Sequence, residues 1–127
     1  MDAQQELFTA LKLALEAKGY AVFDGALPPE DTPYPLIYLG DFRQTEVNRK
    51  NAVTGYVSPT IHVWHNDCGK RGTVSRMLWD IKFSLRSINR TNNFGWLVRN
   101  VNGQILPDET TKTPLLHGVV EAECLFS

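Results

Sequence analysis

Two stretches of this sequence hold residues that could do chemistry. The first, His62, His65, Asp67 and Cys68, carries the donor types that bind transition metals or supply a reactive thiol. His62 and His65 stand three apart on a segment that alternates as a strand, which points them to opposite faces. A metal there needs a broken ladder, or further ligands from His117 or Cys124, and neither C-x-x-C nor H-E-x-x-H occurs. A nucleophilic Cys68 needs a partnered histidine, and spacing alone pairs it with neither His65 nor His117. The second stretch sets Glu121 and Glu123 on one strand face as a possible carboxylate pair, although the same alternation is the wet side of an ordinary strand. Gly69, Lys70, Arg71 and Gly72 precede a helical segment and invite a phosphate-loop reading, but the G-x-x-x-x-G-K-[ST] and G-x-G-x-x-G spacings are missing. The sequence therefore points to no catalytic residue, no cofactor and no metal, and the chain is read as a non-enzyme.

The elements that would position any site follow from periodicity. Leu7, Phe8, Leu11, Ala14 and Leu15 form one face of a helix from about Gln4 to Lys18, capped by Asp2 and stopped by Gly19. Tyr20 to Phe23 reads as a short strand, and Pro28, Pro29, Pro33 and Pro35 hold the chain extended after it. Leu36 to Phe42 and Tyr56 to His65 read as an antiparallel pair, with Gly40 marking a bulge or a close backbone approach. The polar stretch Arg43 to Thr54, with Arg49 and Lys50 near its centre, forms the tip of that pair, either simply solvated or an arm that reaches a neighbour. A second helix spans Thr73 to Arg90 with Thr73 as cap, burying Val74, Met77, Leu78, Ile81, Leu85 and Ile88. Gly95 to Val101 reads as a strand, Asn102 and Gly103 as a hairpin turn, and Gly118 to Phe126 as a last strand with Val120, Ala122, Cys124 and Phe126 on one face. Two helices and five or six strands without regular βαβ alternation predict an α+β fold, a mostly antiparallel sheet packed by both helices on one face.

The unusual surface lies on the second helix. Opposite its apolar stripe stand Trp79 and Phe83, one turn apart and flanked by Arg76, Arg86 and Arg90. Such a face either lies between two layers of its own domain or meets another subunit through residue types enriched at interfaces. Net charge is only −1, yet residues 70–99 hold seven bases against one acid, whereas residues 1–31 hold six acids and two bases. This asymmetry suits head-to-tail contact between identical subunits, or nucleic acid bound by the basic segment 70–99 with Trp79, Phe83, Phe94 and Trp96 as stacking groups. At 127 residues, with 43% hydrophobic and 21% charged, the chain reads as one domain, 1–127. It has no apolar run long enough for a membrane span, and its N-terminus lacks the pattern of a signal peptide, so synthesis in the cytoplasm and free thiols at Cys68 and Cys124 are expected.

The order of features also resembles a known group. An N-terminal helix, the strand Val22, Phe23, Asp24, the run from Pro33 through Tyr34, Pro35, Leu36, Ile37, Tyr38 and Leu39 to Gly40, then Ile61, His62, Val63, Trp64 and a glycine turn into a second amphipathic helix, is similar to the tail completion proteins of tailed bacteriophages. That group includes tail terminators and tail-to-head joining proteins. The resemblance implies an α+β subunit assembling into a homo-oligomeric ring, commonly a hexamer, at the head-proximal end of the tail in the virion. Its partners would be the major tail tube protein and the head connector or neck, with DNA passing through the channel. Trp79, Phe83, Arg76, Arg86, Arg90, Arg49 and Lys50 are the expected contact residues, chosen from their types and positions rather than from the family.

Overall fold

The computed structural model of the chain describes residues 2–26, 28–49, 52–110 and 112–127. The first helix, α1 (Ala3–Ala17), forms where the 3.6 period sets Ala3, Leu7, Leu11 and Leu15 on one stripe, all buried. Asp2 caps it by accepting from the Gln5 backbone N–H, and Gly19 ends it at a φ of 93° that favours glycine. A short strand, β1 (Val22–Asp24), starts two residues later than the periodicity predicts and runs parallel to β2 (Leu36–Arg49). From there β2, β3 (Ala52–His65), the second helix α2 (Arg71–Ser87), β4 (Trp96–Asp108) and β5 (Leu115–Phe126) complete one sheet of order β1-β2-β3-β5-β4. Every pairing except β1 with β2 is antiparallel.

Both helices lie on the same face of this sheet. There Leu7, Leu11 and Leu15 of α1 and Val74, Met77, Ile81 and Leu85 of α2 join Ile37, Leu39, Val57, Ile61, Val63, Val120 and Cys124 in one core. Gly118 permits the close seating of α2 on β5, since a Cβ there would stand 2.9 Å from both Val74 Cγ1 and Leu78 Cδ2. The Tyr20 hydroxyl donates to Asp80 and joins the end of α1 to α2. Burial, then the bond to Asp80, pushes the Tyr20 phenol up to about 12. Glu6 ties the start of α1 to the turn after α2: it accepts from Thr91 Oγ1 at 2.6 Å and from the Asn93 side-chain amide at 2.6 Å. Those bonds lower its pKa.

Several boundaries differ from the sequence expectation, each for a visible reason. α2 begins at Arg71 with Lys70 as its cap, not at Thr73, because Asp67 closes a turn on the Gly69 and Lys70 N–H groups and winds the chain early. It ends at Ser87, where Ile88 turns extended. Asn102 and Gly103 do not make a hairpin. β5 is long enough to pair with β4 along its whole length, and the extra residue is absorbed by a bulge between Arg99 and Asn102, with Asn100 at φ 53°. Gly40 does mark a bulge, the register shift between Leu39 and Phe42. β3 pairs with β5 only as far as Gly55 opposite Phe126, whereas β2 and β3 stay paired through Arg49 opposite Ala52. The hairpin therefore runs on beyond the sheet as an arm.

Candidate functional site

The expected contact residues fall into three groups. Trp79 is 61% exposed and Phe83 49% exposed, and their rings lie nearly parallel, 11° apart with centroids at 5.3 Å. Lys18 stands over the Phe83 ring at 5.2 Å, adding a cation–π contact from α1. Arg76 and Arg86 are exposed on the same helix, and neither has an ion-pair partner among the described residues. Helical winding and this exposure leave the back of α2 as an open aromatic and basic face, not a layer inside the fold. Arg90 is a correction: it lies beyond the end of α2, in an isolated bridge with Gly95, so it is not part of that face. Arg49 closes the paired part of the arm, its side chain lying outside what the structure describes, and Lys50 lies outside the described residues altogether.

The nucleic-acid alternative loses half of its stacking groups. Trp96 is buried, packs against Phe126 at 5.6 Å and donates its indole N–H to Thr91, while Phe94 meets the same Phe126 ring edge-on. Both belong to the core at the end of the sheet, where aromatic burial wins over any surface role. They share no face with Trp79 and Phe83.

A second constellation lies on the side of the sheet that the helices leave open. Register places Tyr38 opposite His62 and Trp64 opposite His117, so that four rings from β2, β3 and β5 form a row across the outer face. Trp64 and His117 stack at 3.8 Å and 4°, and His62 lies at 18° to His117 with centroids 5.0 Å apart. His62 Nδ1 and His117 Nε2 are 2.8 Å apart, which is a hydrogen bond only if one ring donates and the other keeps a lone pair. Burial lowers the pKa of both rings, and each lies in an opposing field of carboxylates: Asp41 and Glu121 at His62, Asp108 at His117. Gly40 makes room for the row, because a Cβ there would stand 2.9 Å from His62 Nε2.

Sequence reasoning separated His62 from His65 correctly, since His65 is buried on the helix side, but it did not bring His62 to His117. The available signal was the period-two match of His62 with Trp64, together with His117 one residue before the expected start of the last strand. Among the described residues no group of three or more His, Cys, Asp or Glu side chains could hold a metal ion. Cys68 is exposed and Cys124 buried, and both are free thiols. Neither helix is long and apolar enough to cross a membrane.

An open sheet with one helix-covered face, and with aromatic and charged groups on both outer surfaces, defines an α+β protein. Many solved chains share the fold, two of them from a virion particle and a phage. One is a chain of the virion of a native gene transfer agent particle, 16% identical, with a TM-score of 0.66 over 98% of this chain and 95% of that one. The other is the gp17 protein of bacteriophage SPP1, 21% identical, with a TM-score of 0.61 over 96% of this chain and 89% of that one. The likeness to phage tail completion proteins read in the sequence is matched at the level of the fold. No protein-family model matches the chain, and no curated protein sequence does.

Proposed function

We propose that this chain is a structural virion protein that assembles as a single tail-terminator-like domain into a six-membered ring on the head-proximal end of a phage tail tube. There it ends tube growth and joins the tail to the head connector, without catalysing a reaction. The observation that carries this reading is the stacked, exposed pair Trp79 and Phe83 beside the exposed Arg76 and Arg86, on a fold shared with a virion chain. A contact between unlike faces of one subunit continues from copy to copy until a ring closes, which is how such a protein would stop a polymer without enzymatic work. The part of the hairpin that runs past β5, Val47 to Arg49 paired with Ala52 to Thr54, gives each copy a reach toward its neighbour or toward the tube.

The test is electron microscopy and light scattering of the purified chain with and without a phage tail tube protein. Rings alone, or rings capping tubes and shortening them, are expected. A chain that stays monomeric and leaves tube length unchanged overturns the reading.

A further inference from the structure

We infer that the surface receiving the α2 aromatic pair of one copy is the outer sheet face of the next copy, centred on the row Tyr38, His62, Trp64 and His117. This deepens the ring reading above and rests on it. The two faces lie on opposite sides of the same sheet, so their contact is heterologous: each subunit offers one of each and neither face is used up by a two-fold dimer.

Charge decides which faces fit. The back of α2 presents Arg76 and Arg86 with Lys18 close by, and Asp80 on that helix is already engaged by Tyr20. The ring row is framed by carboxylates instead, with Asp41 and Glu121 acting on His62 and Asp108 on His117. Of the bases on that side, Arg99 is paired with Glu123 at 3.1 Å and Arg43 lines a shallow recess with Glu121, which leaves Asp41 and Asp108 as acids with no ion-pair partner among the described residues. Two copies meeting helix back to helix back would face arginine with arginine, and two sheet faces would set carboxylate against carboxylate. Only the mixed contact joins opposite charges.

Shape agrees with charge. Both surfaces carry a stacked ring pair whose faces turn on one another, Trp79 with Phe83 on the helix at 11° and Trp64 with His117 on the sheet at 4°. Edge-to-face contact between two such ring pairs is an arrangement that their quadrupoles favour. Leu106 on β4 is 42% exposed and shares the side of His117 that faces away from the helices, extending the apolar ground under the incoming helix.

Site-directed cross-linking tests this without disturbing the rings themselves. In a Cys68→Ser background, Ser75→Cys places a thiol one turn before Trp79, and Gln104→Cys places one opposite Val119 on the outer face. Each variant alone, treated with a short bis-maleimide under conditions where the chain assembles, is expected to give no covalent dimer. The mixture is expected to give the dimer, the double variant a series of higher adducts, and both are expected to be lost at high salt. A dimer from Ser75→Cys alone reveals a two-fold helix contact and overturns the inference. Assemblies that form while the mixture stays unlinked leave the ring reading standing and sink only this interface. If no assembly forms under any condition, with or without tube protein, both fall together.

Discussion

Removing Trp79 separates assembly from folding, and the size of each effect follows from exposure. A tryptophan presents up to ~250 Å² of surface, so 61% exposure leaves roughly 150 Å² of Trp79 uncovered in the lone subunit. If a neighbour covered all of it, transfer at ~25 cal/mol per Å² would contribute about 4 kcal/mol. Association returns only part of such an area, because ordering side chains and desolvating polar groups oppose it, and about 2 kcal/mol is a reasonable share for one central aromatic. Trp79→Ala is therefore expected to weaken subunit association roughly 30-fold per contact. Within the subunit the same change removes little more than the stacking on Phe83, which costs about 0.5–1.5 kcal/mol. Leu85→Ala, at a fully buried position on the opposite side of α2, is expected to cost about 2–5 kcal/mol of folding stability. The assay pairs sedimentation velocity over a concentration series with urea unfolding of the same samples. The reasoning is refuted if Trp79→Ala lowers stability as much as Leu85→Ala, or if assembly is unchanged by it.

Further outcomes concern the sheet and the helix packed on it. His62 and His117 have pKa values below the usual histidine value because burial disfavours their cations, so the unfolded chain binds protons that the folded one resists. Their contribution is present above the unfolded histidine pKa and is lost as pH falls through it toward the lower folded values, so the thermal midpoint should drop on acidification from pH 7.5 to 5. A His62→Gln, His117→Gln double variant should show a shallower fall, and an equally steep one would assign the effect to other groups. Gly118→Val should cost about 1–3 kcal/mol, because its side chain would meet Val74, Leu78 and Val63, while Gly72→Ala, with open space around it, should leave the fold intact or stabilise it by about 0.4–1 kcal/mol. Urea midpoints at constant m-value distinguish the two.

What could be read from the sequence was what depends on local period. The stripe of α1, the Asp2 cap, the Gly19 stop and the alternation of Val120, Ala122, Cys124 and Phe126 are set by residues close in sequence, and the structure has them where the period puts them. What was not legible depends on partners far along the chain. Asn102 and Gly103 carry a strong hairpin preference, but an unbroken β5 beside them offers a full ladder of hydrogen bonds and holds them in a strand. Arg90 looked like a helix residue because the apolar stripe reaches Ile88, whose backbone has already left the helix. The ring row needed the pairing of β3 with β5, 55 residues apart at His62 and His117, and no local pattern contains that register.

The bulge in β4 has a bearing on how the molecule behaves in a crowded cell. β4 is an outermost strand of 13 residues, long enough to recruit a stray extended segment along its free side. Its irregularity between Arg99 and Asn102 divides that side into two runs, Trp96 to Arg99 and Asn102 to Asp108, and within the second Pro107 has no amide hydrogen to offer. Each run is shorter than the whole strand, so an extended segment that docks on this edge meets a broken ladder, which blunts edge-to-edge pairing between newly made chains.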